Sequence, residues 1–321
     1  MMVLGSFASP MRLAWSFPAL VTLLIAAVLQ PALAGAELHK EPSVIIFDAP
    51  GAVDTSPTGI SDGGVIVGNA LVEGNQWRAF ARSPDGSFHF LDDLDGLGAE
   101  ETPGGSSLTM LVSGINERND IVGQYFGDDG RFHGFLRERN GALTIIDYPG
   151  VPHTVSKAIN DKGEIVGNYL TELESPARDN RGFLRDRDGT FIAIDYPGAR
   201  WTIPEGINDA GTIVGWYRIF DEDDNFVSQG GFVRYRNGQF VSVEPSLYDI
   251  NDPGDIVGID EDQGEEFFWP AQHSPRALNV PGCSSPACVA PYFGNGVNNR
   301  DEVVGKVRDD AGVHGFLVRF P

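Results

Sequence analysis

The sequence predicts an all-β chain, a single six-bladed β-propeller of four-stranded antiparallel blades. Three features predict it: an internal repeat of roughly 45 residues, turn-forming Gly pairs throughout, and one spare strand at the N-terminal end. The 40 Gly include many in DG, NG and PG pairs, which favour short strands joined by tight turns. Hydrophobic residues make up 41% of the 321, enough to build a core and too many for a disordered chain.

Residues 1–34 read as a secretory signal peptide. Arg12 is their only charge, the run from Leu13 to Leu29 is mostly apolar, and Ala32-Leu33-Ala34 offers a small-x-small cleavage site. Met11-Arg12 opens this pattern as cleanly as Met1 does. An uncleaved membrane anchor is the other reading; Pro18, Pro31 and the lack of a following basic cluster speak against it. Residues 35–42 form a linker, and 43–321 the propeller. The expected location is secreted or periplasmic.

The repeat is clearest at Ser113–Gly150, SGINERNDIVGQYFGDDGRFHGFLRERNGALTIIDYPG. Its Ile-Val-Gly or Val-Val-Gly core occurs six times, ending at Gly68, Gly123, Gly167, Gly215, Gly258 and Gly305. Within one copy, Ser-Gly-Ile-Asn is an inner strand and the Asn-Asp-x-Gly segment a turn. There the Asn and Asp side chains bond nearby backbone and Gly accepts positive φ. Asp-Ile-Val-Gly-Gln-Tyr is the second strand, His-Gly-Phe-Leu-Arg the third, and Leu-Thr-Ile-Ile-Asp the outer one. Four short strands per copy is the content of a propeller blade, and no segment of 43–321 keeps a period of 3.6.

These motifs resemble the HAF-type extracellular repeat family, with its IN-D-G-IVG segment followed by His-x-Phe, over nearly all of residues 43–321. Here the second motif is mostly His-Gly-Phe or Arg-Gly-Phe, and the fifth copy departs with Glu-Phe-Phe. The resemblance implies an exported repeat protein and brings no catalytic residues with it.

The final copy ends after its third strand, while Ser43–Gly51 (SVIIFDAPG) matches the outer strand and exit turn of a copy. The N-terminal strand is therefore expected to pair with His314–Phe320 and close the ring, removing two exposed edges. The Gly of Ile-Val-Gly is read as a bulge or a close backbone approach between blades. His133 and His314 recur at one strand position and are read as repeat structure; His89 and His273 have no repeated counterpart.

The formal charge is −22, one more negative once the leader is removed. Such a surface repels phosphate backbones, so no nucleic-acid partner is expected; nor is a membrane after cleavage. Cys283 and Cys288, in Cys-Ser-Ser-Pro-Ala-Cys, are expected to form a disulfide in an exported protein, with a zinc pair as the other reading.

The connections between second and third strands are acidic: Asp128 and Asp129, Glu172 and Glu174, Asp221 to Asp224, Asp260 to Asp262, Asp309 and Asp310. Asp221, Asp223 and Asn225 alternate as in a calcium loop, though without the following Gly and distal Glu; Ca2+ is the one cofactor considered. A solvated rim is the plainer reading.

Residues that vary between copies just before each inner strand are expected to ring the channel mouth: His153, Lys157, Arg200, Trp201, Glu205, Tyr248, Asp249 and Asn295, with Tyr292 close by. Aromatic faces beside carboxylates and amides suit a sugar or a peptide. No Gly-x-Ser-x-Gly, HExxH or phosphate loop occurs, and Glu205 with Asp249 is the one acid–base pairing available.

Two functions follow. The first is a non-catalytic binding propeller, monomeric, with an extracellular glycan or a protein or peptide at the channel mouth. The alternative is a propeller hydrolase or lyase acting on an extracellular glycan. Convergence of Lys157, Glu205 and Asp249 with His153 in a deep pocket would favour the second.

Overall fold

The computed structural model describes residues 42–74, 76–94, 97, 110–171, 179–262, 264–278 and 296–321. The leader, Cys283, Cys288, Tyr292 and Asn295 lie outside the described residues, as do Glu172 and Glu174.

Every Ile-Val-Gly core is the second strand of a four-stranded antiparallel unit. In chain order the first unit is Ala52–Ile60, Ile66–Val72, Gln76–Arg82 and Phe88–Phe90, and the second Met110–Ile115, Ile121–Phe126, Phe132–Arg137 and Leu143–Ile146. The third is His153–Ile159, Ile165–Leu170, Asn180–Arg185 and Phe191–Ile194, and the fourth Trp201–Ile207, Ile213–Phe220, Phe226–Arg234 and Phe240–Val243. The fifth is Ser246–Ile250, Ile256–Asp260, Glu265–Trp269 and Arg276–Ala277. The sixth takes Gly296–Val297, Glu302–Arg308 and Val313–Arg319 from the C-terminal end and Ser43–Phe47 from the N-terminal one. Only one parallel bridge joins the third unit to the fourth, Asn180 to Trp201, and one the sixth to the first, Asp54 to Val313. Among the described residues no sheet closes on itself.

The Ile-Val pair explains how the units stack. Successive strand residues point to opposite faces, so each pair feeds two cores. Ile121 packs with Val67 and Ala79 of the unit before, while Val122 packs with Ile165 and Phe183 of the unit after. The pattern repeats through Val166, Val214 and Val257. It then links the last unit to the first, because Val304 and Leu317 share a core with Ile60, Ile66 and Phe80. The fully buried Phe80, Phe135, Phe183, Phe232 and Phe316 come from the third-strand motif.

That Phe accounts for the repeat glycine. A Cβ on Gly167 would lie 2.0 Å from the Val155 carbonyl oxygen and 2.9 Å from the Phe183 ring. The close approach arises within one unit, from the inner-strand carbonyl and the third-strand ring. The sequence had suggested an approach between blades.

The Asn-Asp turn also does more than turn. In Asn160, Oδ1 accepts the Glu164 N–H at 2.9 Å, and Nδ2 donates to the Glu164 carboxylate and to the Asn208 carbonyl of the next unit at 3.0 Å. Asn116, Asn208 and Asn251 likewise reach the next unit's carbonyl, and Asn298 reaches Ser61 of the first unit at 3.0 Å. Beside them, the backbone N–H of Asp62, Glu117, Asp161, Asp209, Asp252 and Asn299 each donates to the side chain of the next residue in that series, and Asn299 to Asp62. The turn keeps its left-handed position throughout: φ is 78° at Gly163, and 60° and 56° where Asn119 and Asp301 replace glycine.

His133 and His314 are structural, as their repetition suggested. His314 Nδ1 is 2.8 Å from Asp48 on the N-terminal strand, and Nε2 is 3.0 Å from Asp309. His133 stands likewise between Asp147 and Asp129, and Arg181 between Asp195 and Asp179. Burial disfavours the His314 imidazolium, but the two aspartates outweigh it and raise its pKa. A raised folded-state pKa stabilises fully below the ordinary histidine value and is lost as pH rises through the folded value. The melting-temperature gap between the native chain and His314→Gln is therefore expected to be wide at pH 6 and to narrow by pH 8.5. An equal gap at both would show that the imidazolium charge contributes nothing.

Candidate functional site

The inner strands share one irregularity. Their register against the second strand slips between Pro57 and Gly59, Val112 and Gly114, Ser156 and Ala158, Pro204 and Gly206, and Leu247 and Asp249. A β-bulge carries one extra residue and re-aims its side chain. The extra residues are Thr58, Ser113, Lys157, Glu205 and Tyr248, and all of them line one cavity of about 520 Å3. Inner strands of all six units contribute to its wall.

The next residue is glycine or alanine in five of the six copies, because neighbouring inner strands nearly touch there. A Cβ on Gly59 would lie 3.3 Å from Gly114 Cα, one on Gly114 3.3 Å from Ala158 Cα, and one on Gly296 2.8 Å from Gly59 Cα. The fifth unit alone puts a functional group at this position, Asp249. Its Oδ1 accepts the Ile250 N–H and its Oδ2 the Val297 N–H, both at 2.9 Å. Asp249 is enclosed by protein with part of its surface on the cavity. Burial raises its pKa to about 7, against the opposing pull of those two N–H groups.

Around it, Lys157 Nζ lies 3.0 Å from Glu205 Oε2, and Trp216 Nε1 donates to Glu205 Oε1 at 3.0 Å. Burial, reinforced by the negative charge of Glu205, Glu261 and Glu266, raises the Tyr248 phenol pKa, so it stays a neutral donor. Lys306 enters from the second strand of the sixth unit; burial lowers its pKa while Asp54 opposes the shift. Asn69, Trp77 and Gln124 complete the polar and aromatic lining.

Lys157, Glu205, Tyr248 and Asp249 thus converge, as their places in the repeat predict. Three other residues expected at the mouth do not line the cavity. His153 is buried, its Nδ1 accepting the Phe132 N–H at 3.2 Å, and burial lowers its pKa. Arg200 pairs with Asp224 at 2.5 Å and covers Phe220, and Trp201 packs 5.3 Å from Phe220. These three precede the bulge by four or five positions, where the strand packs on its own hairpin or on the neighbouring unit. In the candidate calcium loop, Asp221 Oδ1 accepts the N–H groups of Asp223 and Asn225, and both Asp221 oxygens accept Asn225 Nδ2. That is turn capping, and no cluster of three His, Cys, Asp or Glu suited to a metal occurs among the described residues.

Sequence reading missed Lys306, Asn69 and Gln124. The signal was present: each directly follows a repeat glycine, and the residue there changes from copy to copy.

No protein-family model matches the chain, and no curated protein sequence matches it. Solved structures do match in fold. A sialidase from Trypanosoma rangeli is 11% identical with a TM-score of 0.50, over 87% of this chain and 57% of the sialidase. A gluconolactonase from Xanthomonas campestris is 9% identical with a TM-score of 0.49, over 84% of this chain and 87% of that one. Virginiamycin B lyase from Staphylococcus aureus is 11% identical with a TM-score of 0.48, over 86% and 99%. The class is therefore a β-propeller-like all-β fold. Likeness at such identity speaks to the scaffold alone.

Proposed function

We propose that the chain is an exported, closed six-bladed propeller whose central cavity binds a small extracellular glycan fragment and acts on it as a hydrolase or lyase. Asp249 carries this reading. Five copies hold the position to glycine or alanine, and the fifth spends it on a carboxyl that faces the cavity and titrates near neutral pH. A cavity that only bound its ligand would gain little from a carboxyl that burial holds well above the ordinary carboxylate range. Closure is supported by the bonds from the sixth unit to the first, and export by the leader-like residues 1–34.

Turnover of an oligosaccharide panel tests the chemistry. The native protein is expected to cleave one glycan class with a pH–rate profile inflecting near 7. Asp249→Asn is expected to keep binding while losing roughly 100-fold or more in rate. Binding without turnover in the native protein would leave the non-catalytic reading in place. Stability gives an independent readout: between the unfolded and folded pKa of Asp249 the native state holds more protons, so stability falls as pH rises through that window. The native chain is therefore expected to lose stability between pH 5 and pH 8 by an increment that Asp249→Asn lacks.

A further inference from the structure

We propose that Lys306 is the carboxylate-binding residue of the central cavity and that the ligand is an acidic sugar, a uronate. This rests on the cavity being a glycan site and adds the class of glycan it takes. The other charged side chains of the lining are already engaged. Lys157 and Glu205 pair with each other, Asp54 accepts the Ser56 hydroxyl at 2.8 Å, and Asp249 accepts two backbone N–H groups. Lys306 makes no hydrogen bond or ion pair among the described residues, yet it is half-buried at the cavity wall.

An ammonium taken from water without a partner is costly, and an anion in the cavity removes that cost. Burial, helped by Arg308, lowers the Lys306 pKa, and Asp54 and Glu266 oppose that shift from a distance. Its strand position supports access. Lys306 lies opposite Gly315 in the register, so the third strand places no side chain over it.

The rest of the wall limits the anion. Asp54, Glu205 and Asp249 would repel a dianion such as a phosphate, whereas one carboxylate matches one free ammonium. Trp77 and Tyr248 bring aromatic rings to the lining, and Ser113 and Gln124 bring hydrogen-bonding groups. Aromatic faces beside hydroxyl and amide groups suit a polyhydroxylated ring better than an amino-acid chain.

The test is calorimetry and saturation-transfer NMR with D-glucuronate, D-galacturonate, glucose, galactose and N-acetylglycine. Uronates are expected to bind at least about tenfold tighter than the neutral sugars, a difference of about 1.4 kcal/mol. Lys306→Met is expected to lose that preference and Lys306→Arg to keep part of it. In the native protein, reductively 13C-methylated Lys306 is expected to titrate at higher pH when glucuronate is added, a readout that does not depend on a variant folding. Equal binding of uronates and neutral sugars, or a Lys306 titration blind to glucuronate, would overturn the assignment and leave the glycan cavity standing. N-acetylglycine binding as tightly as the uronates would overturn the sugar class. Binding of none of the probes, together with no turnover of any glycan, would overturn this proposal and the proposed function alike.

Discussion

Deletion of residues 43–50 is expected to unfold the whole chain in place of trimming one edge. Ser43–Phe47 pairs with Val313–Arg319 across five registered positions, from Ser43 opposite Arg319 to Phe47 opposite Gly315. Phe47 is buried in the core that joins the last unit to the first, with Ile60, Ile66, Phe80, Val304 and Leu317. Its ring fills the space a side chain at 315 would need, since a Cβ there would lie 2.6 Å from it. The exit turn ties forward as well, because Ala49 N–H donates to Thr55 Oγ1 at 3.0 Å. Losing one large core aromatic costs about 3–5 kcal/mol, and a whole domain is stable by only about 5–15 kcal/mol. The deletion also removes Asp48 from His314 and bares the edge of Val313–Arg319. We expect no cooperative melting transition, together with aggregation, and partial recovery when a peptide of residues 42–51 is added in trans. A variant melting within a few degrees of the native chain would show that the N-terminal strand is dispensable.

The strand order and the spare strand were legible because a repeat states its own pattern six times and shows by omission what the last copy lacks. The bulge residues Lys157, Glu205 and Tyr248 were legible for the complementary reason, as positions that vary on a fixed frame. The bulge itself was not: in strands this short, the one-residue shift of alternation that it causes does not stand out. Asn160 and its counterparts were read as turn formers, which they are. Their bonds to the next unit join residues more than forty positions apart, and a single repeat carries no trace of that partner. His153, Arg200 and Trp201 looked like mouth residues because they also vary between copies, but variation marks any position free of the common packing, including those packed on a unique neighbour. Lys306 was passed over because attention stayed on the inner strands, while the cavity also draws on the second strand one residue past the repeat glycine.

The ring of asparagines yields the other large expected effect. Asn208 is buried, its Oδ1 accepts the Thr212 N–H at 3.0 Å, and its Nδ2 donates to the Asn251 carbonyl at 3.1 Å. Alanine would strand the Thr212 N–H and break the bond that links the fourth unit to the fifth. Each buried polar group left unpaired costs about 1–3 kcal/mol, so Asn208→Ala is expected to lose about 2–4 kcal/mol. For a domain of this size that is a drop of roughly 3–7 °C in Tm. Asn208→Asp should do no better: it keeps the acceptor but aims a carboxylate at the Asn251 carbonyl, beside Asp209 and Asp252. Asn237 is the control, because its Oδ1 accepts the Gln239 N–H at 3.0 Å in an exposed turn with no neighbour to hold. If the asparagines matter only as turn formers, Asn208→Ala and Asn237→Ala will cost the same. If they hold the units together, Asn208→Ala will cost several-fold more, and amide exchange will quicken at Thr212 and in Ser246–Ile250 of the next unit before it does elsewhere.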